Sequence, residues 1–489
     1  MHTETDSPKS SQAANAIWPE PKPALNLRAG AGGNYRWVIC ALLLFATTIN
    51  SLDKFVISYL KVFFCSEGEF AGSGFGWQDV HYSYITTSFT IVWSVATIFA
   101  GIIIDKIGSR RGLALAVAVW STFEMLNALA GPRVVWHCVM RNLLGVGEAG
   151  HFPGAIKTAA EWFPKKERAF ATGISNTGAS IGAMIAALFV PWCLAFHGGP
   201  LGWRLAFVYT GALGFVWLFF WWILGGMPAK MRGKRLSEAE YAHIHQDEDE
   251  GEKTAQSPRR GVSWFKLLTY RQTWAYSTAK FMTDGIWWFY LFWLPSYLVV
   301  QFPKTENFEG MTSQLAGRLS FIVWGVAIAG SVLGGRIPMS FMNRGWSVYR
   351  ARLGAMVMFA ALPLLVLFVQ VFASNQDLFG AKNALVCVIV IISIAVAAHQ
   401  AWSANLYTTP ADWFPGKAVA SVSGIGIAAG GLGGALVQLL VGQLTTYYKT
   451  LGSVQTAYSI IFVVAAFVYL AAWVVIKLLV PRHKPVSGL

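Results

Sequence analysis

The sequence predicts an all-α membrane protein with twelve transmembrane helices in two six-helix halves. Of its 489 residues, 55% are apolar and only 13% charged, about half the charged share usual in a soluble domain. Twelve apolar stretches reach the roughly 20 residues that a helix needs to cross the hydrocarbon core. An internal repeat at fixed offset divides them into two groups of six. The mean hydropathy of +0.48 agrees, and collagen-like, disordered and small disulfide-rich classes are excluded. The short alternating segments of a β-barrel are absent.

The elements follow in order. Residues 1–35 are polar, carry Pro8, Pro19, Pro21 and Pro23, and lack the apolar core of a signal peptide. They read as a disordered cytoplasmic tail. The N-terminal half, 36–224, holds apolar stretches at 36–63, 83–104, 112–130, 133–155, 168–196 and 203–224. A polar insert at 225–271 starts with Lys230, Arg232, Lys234 and Arg235. Its Ser237-Glu-Ala-Glu240 has the spacing of a capping box and predicts a short helix. An acidic run at Asp247–Glu252 and the pair Arg259–Arg260 complete what reads as a solvated cytoplasmic linker. The C-terminal half, 272–480, holds stretches at 272–300, 316–336, 349–373, 383–408, 417–445 and 457–480, and 481–489 is a second cytoplasmic tail.

Charge sets the orientation. The 38 Lys+Arg against 24 Asp+Glu give +14, which in so apolar a chain means basic cytoplasmic loops rather than nucleic-acid binding. Lys106, Arg110 and Arg111 lie between the second and third stretches, and Lys157, Lys165, Lys166 and Arg168 between the fourth and fifth. The opposite loop at 64–82 has Glu67, Glu69 and Asp79 and no Lys or Arg. Both termini and the insert are therefore expected in the cytoplasm. The expected location is a bacterial-type inner membrane, crossed many times by a monomer whose surroundings are the lipid bilayer. Five scattered cysteines lack any CxxC spacing, and only Cys65 reads as exposed. No disulfide, metal site or cofactor is implied.

The repeat is specific. Ala160-Glu-Trp-Phe-Pro164-Lys-Lys166 recurs as Ala411-Asp-Trp-Phe-Pro415-Gly-Lys417, 251 residues on, and Gly173, Ile174 and Gly182 match Gly424, Ile425 and Gly433 at the same offset. Parallel repeats related by an axis along the membrane normal are a mark of transporters. Glycines cluster in the fifth and eleventh stretches, where small residues allow close helix packing.

Ionisable residues inside apolar stretches are costly and point to function. The first stretch carries Asn50, Asp53 and Lys54. The fourth carries Arg141 and Glu148, two turns apart on one face. The seventh carries Lys280 and Asp284, one turn apart, a spacing that also suits a purely structural ion pair. The tenth carries His399, Gln400 and Asn405, and the fifth Asn176. These residues suit a proton-coupled anion carrier. Lys54 or Lys280 would hold a substrate carboxylate, and Glu148 or Asp53 would change protonation. Asn50, Asn176, Gln400 and Asn405 suit a polyhydroxylated substrate, with Trp287, Trp288 and Trp402 packing on its C–H faces. Arg141, Asp284 and His399 would complete a charge network.

The string Gly101-Ile-Ile-Ile-Asp105-Lys-Ile-Gly108-Ser-Arg110-Arg111 resembles the loop signature of the major facilitator superfamily. The resemblance implies that Asp105, Arg110 and Arg111 form a cytoplasmic gate. Arg141-Asn-Leu-Leu-Gly-Val-Gly-Glu148-Ala-Gly-His-Phe-Pro153 resembles a motif of its anion:cation symporter family. Asn34-Tyr-Arg-Trp37, Lys280-Phe-Met-Thr-Asp284, Trp287-Trp-Phe-Tyr-Leu-Phe-Trp-Leu-Pro295 and Ala398-His-Gln-Ala-Trp-Ser-Ala-Asn405 are similar to hexuronate transporters. That resemblance implies H+ symport of a sugar-acid anion such as galacturonate or glucuronate, with proton sites at Asp53 and Glu148. Three positions depart from that group: Lys54 stands where Arg is usual, and Ser51 and Trp93 where Tyr is common. Another organic anion (aldonate, aldarate or aromatic acid) and a transporter-like sensor remain alternatives. An enzyme is not expected, since no HExxH or GxSxG motif occurs.

Overall fold

The computed structural model describes residues 33–246, 264–305, 308–482 and 486. The acidic run at 247–252, the pair Arg259–Arg260 and most of the 1–35 tail lie outside the described residues. The first half contains α1 (Tyr35–Phe64), α2 (Asp79–Ile107), α3 (Ser109–Asn127), α4 (Val134–Ala149), α5 (His151–Trp162), α6 (Lys165–Phe196) and α7 (Gly199–Leu224). After the short α8 (Glu238–Ile244) come α9 (Arg271–Gln301), α10 (Ser313–Asn343), α11 (Val348–Ala361), α12 (Ala381–Leu406), α13 (Thr409–Trp413), α14 (Gly416–Thr450) and α15 (Val454–Leu479).

Among the described residues, nine helices are long and apolar enough to cross a membrane. The exceptions have local causes. α3 carries Arg110, Arg111 and Glu124, α9 carries Lys280 and Asp284, and α4 stops at Gly150 after 16 residues. Charge of this kind is tolerated where a helix faces the interior of a bundle. On the outside, Phe219, Ile322 and Phe467 are each more than half exposed, an apolar surface that lipid matches and water does not.

The repeat in sequence is a repeat in structure. α5 ends at Trp162 and α6 restarts at Lys165, across an extended Phe163 (φ −128°) and Pro164 (φ −61°). α13 ends at Trp413 and α14 restarts at Gly416, across Phe414 (φ −121°) and Pro415 (φ −63°). A proline cannot supply the N–H that would carry the preceding helix through. One repeated glycine pair, Gly182 and Gly433, also does the same job in both halves. A Cβ on Gly182 would stand 2.3 Å from the Thr48 carbonyl of α1, and one on Gly433 would stand 1.9 Å from the Phe281 carbonyl of α9. Each half thus packs its first long helix backbone-to-backbone against its fifth, as small residues allow.

The described part of the insert is docked, which corrects its reading as a solvated linker. Ser237 Oγ accepts from the Glu240 N–H at 3.2 Å, as the capping box predicts. The buried Glu240 carboxylate does not turn back to its own helix. It accepts from the N–H groups of Tyr35 (3.1 Å) and Arg36 (3.0 Å), at the positive end of the α1 dipole. Arg36 Nε also donates to Glu167 at 2.9 Å, and His243 meets the same carboxylate at 3.0 Å. Burial pushes the Glu167 carboxyl up, but hydrogen bonds from Arg36 and His243 outweigh it and hold the group below its usual value. Val486, in the second tail, donates its N–H to the Trp413 carbonyl at 2.8 Å.

The halves meet through α1 against α9, α2 against α14 and α6 against α10. The last two contacts are equivalents under the repeat. At the end away from the start of α1 and the end of α15, the halves are bolted together by charge. Lys61 Nζ lies 2.8 Å from Glu67 and 2.7 Å from Asp79, and donates to Ser296 of α9 at 2.6 Å. From the second half, Lys449 reaches Glu67 at 2.9 Å and Asp79 at 2.8 Å. Cys65 lies beside them, half-buried rather than exposed as its sequence position suggests. Its sulfur and the two carboxylates have ligand atoms within 4.8 Å of one another. Two ammonium groups already occupy the carboxylate oxygens that a metal would need.

Candidate functional site

A cavity of about 210 Å³ lies between the halves, below the about 300–1,000 Å³ of drug-sized pockets and on the scale of a small metabolite. Its walls come from both halves. α1 provides Ser51, Lys54 and Phe55, α2 provides Trp93, and α6 provides Ser180. Opposite them, α9 provides Asp284, Trp287 and Trp288, α10 provides Trp324, and α12 provides Gln400, with Tyr407 just beyond its end. Lys54 is the one Lys, Arg or His among these described lining residues.

Lys54 is held from its own helix and from α4. Its Nζ donates to Asn50 Oδ1 at 2.8 Å, one turn back, and lies 3.5 Å from Glu148 Oε2. The ammonium also sits 5.3 Å from the Trp93 ring centroid, a cation–π contact. Behind this pair, Arg141 Nη1 donates to Glu124 at 3.1 Å and to the Asp53 carbonyl at 3.1 Å, beneath the Phe89 ring. Asp53 is fully buried, and neither of its carboxylate oxygens makes a well-formed hydrogen bond among the described residues. Asp53, Lys54, Arg141 and Glu148, singled out separately in sequence, are brought together.

The second-half wall is arranged differently. Lys280 Nζ lies 2.5 Å from Asp284, 2.9 Å from the Tyr407 hydroxyl and 4.0 Å from the Tyr407 ring centroid. Its side chain is only 1% exposed, so Asp284, at 14%, is the member of the pair that faces the cavity. His399 does not join them: it stacks on Trp287 (4.8 Å between centroids) and hydrogen-bonds the Tyr469 hydroxyl at 2.8 Å. It braces the indole from behind.

Three expected contacts fall elsewhere. Asn405 donates its amide to the Gly334 and Ala401 carbonyls, joining α12 to α10. Asn176 lines a separate small recess with His151 and Ser175. Trp402 is fully buried beside Tyr469. The expected gate residues lie at the end where α1 starts and α15 finishes. Asp105 pairs with Lys157 at 2.8 Å, Arg110 donates to the Trp222 carbonyl at 3.1 Å, and Arg111 is exposed. Among the described residues, their hydrogen bonds and ion pairs stay within the first half. Glu124, Trp324 and Tyr407 were not singled out in sequence. For Glu124 the signal was present, an acid inside the apolar stretch 112–130.

Comparison with known proteins agrees with this architecture. Residues 43–409 match the Major Facilitator Superfamily. The chain is 27% identical over 411 residues to a protein of Escherichia coli K12 named hexuronate transporter, covering 84% of this chain and 87% of that one. It is 30% identical over 264 residues to a galacturonate transporter of Dickeya chrysanthemi, covering 54% and 71%. Among solved structures, a D-xylose–proton symporter superposes with TM-score 0.68 at 14% identity, over 92% of this chain and 100% of that one. The match covers well over half of the sequence, and the two-half helical bundle around a central cavity is what the superfamily builds: the chain belongs to the Major Facilitator Superfamily.

Proposed function

We propose that this transporter is a proton-coupled symporter of a monocarboxylic sugar acid, with hexuronate its best-supported cargo. It works by alternating access through twelve spans, with both termini in the cytoplasm and the chain in a bacterial-type inner membrane. The observation that carries the reading is Lys54, the one cation lining the described cavity, 3.5 Å from the buried Glu148. A substrate carboxylate and the Glu148 carboxylate compete for one ammonium. Protonating Glu148 frees Lys54 for the substrate, and substrate on Lys54 in turn favours the protonated acid, because coupling between two ligands is reciprocal. Loss of the proton at the other face would restore the Lys54–Glu148 pair and expel the anion. Asp53 is the second candidate proton site, and the Trp93, Trp287, Trp288 and Trp324 rings suit the apolar face of a pyranose. The names of relatives, hexuronate and galacturonate transporters, support the same cargo. An aromatic acid is the second reading, favoured by those four indoles.

Uptake of labelled galacturonate into proteoliposomes under an imposed pH gradient tests the proposal. Wild type should accumulate the acid, and excess galacturonate should block it far better than excess benzoate. Glu148→Gln, a stand-in for the protonated acid, should exchange substrate but not accumulate it. Uphill uptake by Glu148→Gln equal to wild type would remove Glu148 as the coupling site. Stronger competition by benzoate would favour the aromatic reading.

A further inference from the structure

The second-half wall of the cavity contains a charge that the coupling scheme leaves unused. Asp284 faces the cavity, and Lys280 lies behind it, held by the Asp284 carboxylate, the Tyr407 hydroxyl and the Tyr407 ring. The second carboxylate oxygen, Oδ1, is buried with no hydrogen-bond partner among the described residues. α14 comes close enough here that a Cβ on Gly430 would stand 2.3 Å from Asp284 Oδ2, so the carboxylate has little room to swing away. The pair is neutral in sum but lopsided in presentation. What the cavity meets on this wall is the negative member.

We infer that Asp284 is a specificity-determining residue that restricts the carrier to substrates with a single negative charge. The inference rests on the sugar-acid reading above and narrows it. Lys54 can neutralise one carboxylate. A dicarboxylic sugar acid would bring a second into a poorly solvated cavity where Lys280 is already cancelled and Asp284 repels it. The same atoms give the converse. With the Asp284 charge removed, Lys280 becomes a second cation on the opposite wall, and the site changes from one positive charge to two.

Three sugar acids separate charge from shape: galacturonate (ring, one carboxylate), galactonate (open chain, one carboxylate) and galactarate (open chain, two carboxylates). Thermal-shift titration of the purified full chain reads the affinity for each. Wild type should bind galactonate more tightly than galactarate. Asp284→Asn should improve galactarate relative to galactonate by about tenfold or more, the order expected when a repelling charge gives way to an attracting one. Lys280→Gln/Asp284→Asn should restore the wild-type order, since it removes both charges. Lys280→Gln alone should shift the ratio the opposite way, which keeps the inference testable where Asp284→Asn fails to fold. An unchanged galactarate-to-galactonate ratio in both single variants would overturn the role of Asp284 alone. If none of the three acids stabilised wild type, the sugar-acid reading and this inference would fall together.

Discussion

Three carboxyl side chains, Asp53, Glu124 and Glu148, share the buried interior of the first half with two cations, Lys54 and Arg141. Fully ionised, the group is one negative charge in excess, so a single bound proton balances it. Glu124 belongs in that count through its 3.1 Å contact with Arg141. In Glu124→Gln, Arg141 would turn to the remaining acids and favour their ionised forms. The pH dependence of uptake should then move to more acidic values, with a stability loss of about 3 kcal/mol from opening a buried pair. A pH profile superimposable on wild type would exclude Glu124 from the proton site. The signal for this group was legible, since each member is a charge inside an apolar run. What the sequence lacked was the tertiary partnering: Glu124 has no same-face partner on α3, and its cation comes from α4. The amides were legible in part: Gln400 lines the cavity and Asn50 holds Lys54, but Asn176 and Asn405 fall elsewhere. Asn405 looks like a substrate ligand until the rotation of α12 is known, and then its amide is found bridging backbone carbonyls.

Among the elements, the two halves test each other. Gly182 and Gly433 are repeat equivalents, and each touches the backbone of its neighbouring helix, whereas a Cβ on Gly173 would meet nothing within 4 Å. Gly433→Ala should therefore lower the melting temperature, at a cost of about 1–3 kcal/mol for overpacking. Gly173→Ala should be neutral or stabilising by up to about 1 kcal/mol through helix propensity. Equal effects of the two substitutions would refute close packing as the reason for glycine at the Gly182–Gly433 pair. That repeat was legible because it is periodic in sequence, and so was the Trp-Phe-Pro break. The docking of α8 was not. Ser237 and Glu240 announce a helix start, yet nothing local says that the Glu240 carboxylate reaches a different helix, about 200 residues away in sequence.

At the scale of the whole molecule, ion pairs between the halves are found at one end only among the described residues. Lys449 ties the second half to Glu67 and Asp79 of the first, while among the described residues Asp105 and Arg110 bond within their own half. In the proposed orientation the closed end is the outer one. Lys449→Gln removes one of the two ammonium groups from the bolt and should raise the share of molecules open to the outside. A membrane-impermeant thiol reagent would detect this at Cys65, kept as the only cysteine. Its modification should run about tenfold faster, the effect of about 1.4 kcal/mol. An unchanged rate would show that Lys449 does not hold the halves together. Hydropathy and repeat made the architecture legible, because lipid imposes them on every span. The closed end was not legible, since it depends on contacts between halves that exchange during a cycle and differ by only a few kcal/mol.

The aromatic walls have an optical consequence. Four of the 22 tryptophans, Trp93, Trp287, Trp288 and Trp324, line the cavity, and the Lys54 ammonium lies 5.3 Å from the Trp93 ring. An anion that draws this ammonium toward itself changes the electric field across one indole, and a ligand ring between the others displaces water from their faces. Occupancy of the carrier should therefore be readable in its own ultraviolet emission, through the four indoles that line the described cavity.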